Sequence, residues 1–480
     1  MTSQLHSTSS TSPSYSIAGS LIALSLIALI ALMLASGPNQ IIDPFVRHDD
    51  YPALLLIPEL YYTKTLSEGR WLNYLWHLRE FETPAWLNNL AYQLGWCVFS
   101  AATSLHVLGR QSGFFYKVFL TALIALGPQA TVISSWFNTL LPGIWIIASY
   151  AVLTLYVRPL WGLILLVVFV PLSLMSYSTY PLLLLGVYLT RHDTDKSIFR
   201  LCITICLFLA CFILGLTLIN SLNYLVHGTF GIEIAEWRQP TPASDLSSYL
   251  ANLGKVQRFL AKTLSFHGFG VPLIGVINTV IFIACSLLLL RYRTIYAIYA
   301  LAGLSLGFGL LVVHILSEGS VIAFRATLFS WLIVAIVIVR AADLCREISP
   351  LLASVSRVAV MVLTFTTLIL VWKEYDNLND WQYSTRAISE EIPESVTTLL
   401  IYGPYLGPSG ALNAGIQEER GIQLRMQQLT GAEVVLCSDQ NERCSTHPSD
   451  FDPTPEFLNT KLRIAGDTAF LGLPRVDTTP

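Results

Sequence analysis

Apolar runs long enough to cross a bilayer recur from Ile17 to Trp372, and they decide the class of fold before any motif is considered. A hydrocarbon core of ~30 Å asks for about 20 apolar residues per helix, because in lipid a backbone must satisfy its own polar groups. Such runs cover residues 17–36, 90–108, 114–133, 138–157, 160–175, 177–190, 198–222, 268–290, 295–315, 326–345 and 355–372. The pattern predicts about eleven spans. The two runs between Pro159 and Thr190 are short and contain Pro171 and Pro181. They predict a tight hairpin that is buried in protein or reaches only part way across. With 54% hydrophobic and 12% charged residues, this is an all-α polytopic membrane protein in expectation. A net charge of -3 over 480 residues argues against a nucleic-acid surface.

Residues 1–16, Ser/Thr-rich and nearly uncharged, predict a disordered tail. The run after Ile17 competes with a cleaved signal peptide, since Leu34-Ala35-Ser36-Gly37 offers small residues for a cut. It lacks a basic leader and is longer than the usual apolar core, so it is read as a retained first helix. Lys and Arg placement then sets the orientation. An N-terminus in the cytoplasm puts Arg110, Lys117, Arg158, Arg191, Lys196, Arg200, Arg291, Arg293, Arg340, Arg346 and Arg357 on the cytoplasmic side. The opposite loops after Ser134 and around Ser176 hold no basic residue. The expectation is a multi-pass protein with a cytoplasmic N-terminus and an outer C-terminus.

Three outward pieces remain: loop 37–88, loop 223–267, and the segment 373–480. In the first loop Arg70, Asn73, His77 and Glu80 fall on one face of a predicted helix, with Trp71, Tyr74, Leu75, Leu78 and Phe81 on the other. Such a helix suits the headgroup layer, its polar face turned to a site or simply to water. Residues 373–480 read as a small α/β unit, with strands at 396–402 and 432–437 and a helix at 416–429. Cys437 and Cys444 are the cysteines expected in an outer aqueous segment, and in an oxidising compartment they predict a disulfide. The other six cysteines lie in or beside spans. No metal-ligand spacing is present.

The chain has no Walker loop, dinucleotide fingerprint, HExxH or nucleophile elbow. With short cytoplasmic loops, an activated substrate must come through the membrane, and a lipid-linked sugar donor fits that need. Transfer from such a donor asks for a carboxylate to take the acceptor's proton and for cations on the departing phosphate. Asp49 and Asp50, just beyond the first span, are the carboxylate candidates, with Asp43 a poorer third. On an extended segment the pair points opposite ways, so one would act and the other orient it, bind a metal, or face water. Arg70, and Arg325 at the outer edge of a span, are the phosphate candidates, each with snorkelling to headgroups as its rival reading. His77, His314, Glu318, Glu236 and Trp237 are candidate substrate contacts. His314 and Glu318 at i, i+4 also read as a capping pair. Lys255, Arg258 and Lys262 recur on a predicted helix, suited to anionic headgroups or to water.

Asp49-Asp50 followed by Gly69-Arg70-Trp71 resembles the first outer loop of the bacterial serotype-converting O-antigen glucosyltransferases, in the C-type glycosyltransferase superfamily. The resemblance extends to the layout of spans and outer tail. It implies inverting transfer of a hexose, usually glucose, from polyprenyl phosphate to a lipid-linked glycan at the periplasmic face of the inner membrane. It assigns Asp49 and Asp50 to the acidic site and Arg70 to phosphate or substrate, with a looser similarity for Arg325. Relatives with monophosphate donors generally work without a metal, so no cofactor is assigned. The expected partners are membrane lipid, donor and acceptor glycan. An O-antigen polymerase or ligase would instead place paired arginines in the outer loops, and a transporter or flippase would place charges mid-span with internal repeats.

Overall fold

The computed structural model describes residues 16–194, 196–437, 442–444, 447–448, 451–452 and 460–474. The expected N-terminal tail therefore lies outside the described residues, apart from Ser16. Helix α1 (Ile17–Ile42) leads through residues 43–50 into three short helices, α2 (Tyr51–Leu54), α3 (Glu59–Glu68) and α4 (Trp71–His77). The bundle continues with α5 (Ala85–Leu108), α6 (Phe114–Ala125), α7 (Pro128–Ile133), α8 (Phe137–Tyr156), α9 (Pro159–Leu174), α10 (Tyr180–Thr190) and α11 (Ile198–His227). Then come α12 (Leu246–Phe266), α13 (Pro272–Tyr292), α14 (Thr294–Glu318), α15 (Leu328–Ile348) and the long α16 (Pro350–Glu390).

Among the described residues, seven helical stretches are long and apolar enough to cross a bilayer, and α6, α9 and α10 are shorter apolar helices. The lipid-facing surface is legible in α13. Leu273, Val276, Val280, Ile283 and Leu287 are exposed along one stripe, while Gly275, Asn278 and Ser286 are turned inward. A helix in water would invert that order, since exposed apolar area costs about 25 cal/mol per Å². Here the small and polar residues meet neighbouring helices and the large apolar ones meet lipid. At the centre, every residue of α10 is buried, as are most of α15. Helices apolar on all sides belong in such a core. Gly307 of α14 lets that helix approach α15 closely, because a Cβ there would collide with the Phe329 ring. The chain is an all-α multi-pass membrane protein carrying a small mixed unit after its last long helix.

The outer pieces depart from expectation in detail. Helix α1 runs past Ser36 to Ile42, kinked where Gly37 takes a φ of 79° ahead of Pro38. The helix expected through Phe81 stops at His77, so Glu80 is not on it. Its polar residues Asn73 and His77 are buried while Leu75, Leu78 and Phe81 are exposed, so the apolar side looks outward. No boundary falls at Trp372, because α16 continues unbroken to Glu390. Beyond it, β1 (Thr398–Tyr402), α17 (Glu419–Thr430), β2 (Glu433–Leu436), β3 (Lys461–Ala465) and β4 (Thr468–Gly472) form a sheet of order β2-β1-β4-β3. Strands β2 and β4 are parallel to β1 and β3 is antiparallel to β4. Strands β3 and β4 were not expected from sequence. Central β1 is covered on both faces: Leu400 and Tyr402 meet Phe451 and Phe470, while Leu399 and Ile401 join the main core. Cys437 and Cys444 are disulfide-bonded beside this smaller cluster.

Candidate functional site

The site begins at a glycine. Gly69 ends α3 in the left-handed region, φ 67°, where other residues are strained, and a Cβ there would come within 2.8 Å of Ile219. The reversal delivers Arg70 to the start of α4. That start is pinned from two sides. Trp71 Nε1 donates to Asn223 Oδ1 at 2.8 Å on α11, and Asn73 Nδ2 donates to the Ser176 carbonyl at 2.8 Å in the α9–α10 turn. Arg70 is thus fixed with its guanidinium 5.3 Å from the Tyr177 ring and paired with Glu68.

Arg70 lines a cavity of about 700 Å³ between the α3–α4 segment, α9–α11 and α14. Its walls are apolar, with Leu174, Leu182, Phe212, Leu216, Leu310 and Leu311 among them, and its polar groups gather on a few elements. The volume falls within the ~300–1,000 Å³ range of ligand cavities. Arg238, Trp237, His314, Glu318 and Arg325 line the same space. Arg238 lies 3.6 Å from Glu68. Arg325 makes no ion pair with a described carboxylate, and its guanidinium sits 4.3 Å from the Trp136 ring. Burial opposes the charge of Glu68, yet Arg70, Lys64 and Arg238 hold its carboxyl below the usual range. Burial likewise opposes the charge of Arg70, and Glu68 outweighs it, pushing the guanidinium pKa up.

The two acidic neighbours part company. Asp49 accepts from Lys64 Nζ and from Trp136 Nε1, and its side chain keeps 25% of its exposure. Burial would raise its pKa, but Lys64, His48 and Trp136 together hold it far below the ordinary carboxylate range. Asp50 is wholly buried and accepts from Asn138 N at 3.0 Å, Asn138 Nδ2 at 2.8 Å and Thr139 N at 2.6 Å. The Asn138 and Thr139 backbone amides are free donors at the start of α8, so Asp50 is a helix-capping carboxylate. Burial pushes its pKa up to about 6 against those bonds. Asp50 therefore does not reach the cavity. Asp49 is set behind the Arg325–Trp136 stack rather than in the cavity wall.

Other candidates are also displaced. His77 is buried, stacked on Tyr61 with ring centroids 4.0 Å apart and bonded through Nδ1 to the Asn73 carbonyl. Its pKa falls to about 4 by burial, and it does not line the cavity. Glu236 is exposed and lies outside the lining, whereas its neighbour Trp237 is within it. Asp43 pairs with Arg386 and Arg425. Sequence reading passed over Lys64, Glu68 and Trp136. Lys64 and Glu68 had a signal, an i, i+4 spacing on one helix face immediately before Gly69. Trp136 had none, being brought to Asp49 by the fold.

Fold and site together define a multi-pass membrane protein with an apolar-walled cavity crowded with arginine at one end. No protein-family model matches the chain, and no curated protein is significantly similar to it in sequence.

Proposed function

We propose that this protein is an inverting glycosyltransferase of the C-type superfamily, akin to the O-antigen serotype-converting glucosyltransferases. It spans the bacterial inner membrane about eleven times, with its N-terminus in the cytoplasm and its C-terminal unit in the periplasm. It transfers a hexose, glucose in the first instance, from polyprenyl phosphate to a lipid-linked O-antigen or related glycan. The observation that carries this reading is the convergence of Arg70, Arg238 and Arg325 on one apolar-walled cavity, with Arg325 unpaired by any described carboxylate and Asp49 one indole ring away.

An arginine left without a carboxylate in a partly desolvated site is costly until an anion arrives. The phosphate of a polyprenyl-phosphate sugar, a diester that becomes a monoester as the sugar leaves it, suits it, because the planar guanidinium fork matches phosphate oxygens. Apolar walls from α9, α11 and α14 receive the isoprenoid chain. Trp237 and Tyr177 offer ring faces to the sugar, and His314 and Glu318 offer polar groups to its hydroxyls. The acceptor oxygen bonds to the anomeric carbon from the face opposite the phosphate. The bond from that carbon to the phosphate oxygen breaks, and polyprenyl phosphate leaves against the arginines. The acceptor's proton passes to Asp49 once the Arg325–Trp136 stack moves aside to uncover it. Asp50 serves the reaction by fixing the start of α8, next to Trp136.

The test is incubation of the purified full chain with a panel of polyprenyl-phosphate sugars and a lipid-linked oligosaccharide. The expected product is heavier by one hexose and has inverted anomeric configuration. A retained configuration, or translocation of labelled glycolipid without any new bond, would replace this reading with another.

A further inference from the structure

Residues 43–49 carry the acidic site, yet form neither helix nor strand. Their geometry comes from the far end of the chain. Asp43 accepts a two-pronged bond from Arg425, Nη1 to Oδ1 at 2.7 Å and Nη2 to Oδ2 at 2.5 Å. Arg386 adds a second ion pair at 2.7 Å. Gln382 donates to the Asp43 carbonyl and accepts from Gln40, whose own oxygen takes the Phe45 amide at 2.9 Å. Arg47 donates to the carbonyls of Ala414 at 3.0 Å and Gly415 at 2.5 Å. His48 Nε2 lies 3.6 Å from Glu418. All these partners except Gln40 belong to the outer end of α16 or the unit beyond it.

The contacts lead to the candidate base. The Arg47 guanidinium also lies 5.5 Å from the ring of Trp136, the residue whose indole donates to Asp49. We infer that the C-terminal unit is a positioning clamp, in which Arg425, Arg386 and Arg47 hold residues 43–49 so that Asp49 and Trp136 keep a fixed geometry behind Arg325, which lines the cavity. The inference rests on the transferase reading for its catalytic half. Stability alone is a poor reason for this design, because a buried ion cluster recovers little more than its own desolvation. What a bidentate arginine pair does supply is a fixed position and plane for the carboxylate. A general base needs that, since a displacement near 1 Å can cost on the order of a hundred-fold in rate.

The experiment uses the full chain in lipid nanodiscs, with variants Arg425→Met, Arg425→Lys and the milder Arg386→Gln. Amide hydrogen exchange over residues 44–50 is measured beside kcat and KM for polyprenyl-phosphate glucose, with kcat referred to titrated donor sites. Faster exchange confined to this segment is expected in Arg425→Met, and a smaller rise in Arg386→Gln. The expected kcat is on the order of a hundred-fold lower in Arg425→Met, with donor KM unchanged and part of kcat restored in Arg425→Lys. Unchanged exchange in both Arg425→Met and Arg386→Gln would overturn the clamp. Faster exchange with full kcat would overturn its catalytic role. If the unsubstituted protein transfers no sugar, the transferase reading fails with that catalytic half, while the exchange data still decide the clamp.

Discussion

Asp43 and Asp49 stand at the two ends of one short segment and are treated in opposite ways. Asp43 is buried and saturated by Arg425 and Arg386. Asp49 keeps a quarter of its exposure and is held by one lysine and one indole, beside Arg325 across the Trp136 ring. The first end is finished as structure, with each partner's geometry spent. The second leaves a carboxylate near water and, one ring away, a cation that no described carboxylate answers. Charge that is fully satisfied holds a fold together. Charge left partly open next to a cavity is what a ligand is recognised by.

The largest effect should separate these ends by activity and by stability. Asp49→Asn should lower sugar transfer by about 10²–10⁴-fold, the usual contribution of a general base. Asp43→Asn should lower the midpoint and cost transfer less than Asp49→Asn, because Arg425 is left buried and Arg386 half-buried without a full counter-charge while the segment that holds Asp49 loosens. Product mass and melting in the same detergent read both. Equal activity in Asp49→Asn and the unsubstituted protein would erase the comparison. Next comes Arg325→Met, which removes the unanswered cation. Charge-assisted bonds are worth roughly 1.5–3 kcal/mol, so donor affinity should weaken by about ten- to a hundred-fold. Titration with polyprenyl phosphate alone measures it, and unchanged affinity would place the phosphate elsewhere.

The asymmetry was only half legible in the sequence. Span-length apolar runs mark the long helices, because a bilayer imposes its own thickness on the chain, and the α13 stripe confirms which residues face out. Arg325, His314 and Glu318 were reachable as polar residues at the edges of such runs, and Arg70 and Trp237 as members of the loops between them; all line one cavity. Asp49 and Asp50 were indistinguishable by spacing. Only the arrival of the α8 N-terminus at Asp50 tells them apart, and that is a tertiary contact across 88 positions. His77 was misleading for a related reason. In a membrane protein the polar face of an outer helix can turn into protein, so helical periodicity finds the face without saying what it meets. Strand β3 escaped although Lys461-Leu462-Arg463-Ile464 alternates, because five residues that stay largely exposed give too short a pattern to set apart from a loop.

A third measurement turns on Asp50. Its folded pKa of about 6 lies above the ~3.9 of an unfolded aspartate. Between those values the folded protein binds a proton that the unfolded chain does not, so stability from this group is full below about 4 and is lost as pH rises through 6. The span corresponds to roughly 2–3 kcal/mol. Melting from pH 4.5 to 7.5 should therefore show a slope that Asp50→Asn flattens. An unaltered slope would mean that another group titrates there.

The smallest effect concerns Lys64, the cation shared between Asp49 and Glu68 on the path from the acidic segment to the arginines. A carboxylate held so far below its ordinary range is a weak base, and Lys64 is the largest influence holding it there. If the donor's phosphate draws Lys64 away, Asp49 gains proton affinity at the moment a proton must be accepted. Lys64→Met removes the cation permanently. The Asp49 pKa should then rise, and the acid limb of the pH–rate profile should move to higher pH by about a unit or more. The acid limb of the unsubstituted enzyme is read against an Asp50→Asn background, which removes the titration near 6. A limb that stays where it was in Lys64→Met would show that Asp49 does not accept the proton, and would return the two ends of the segment to the same structural role.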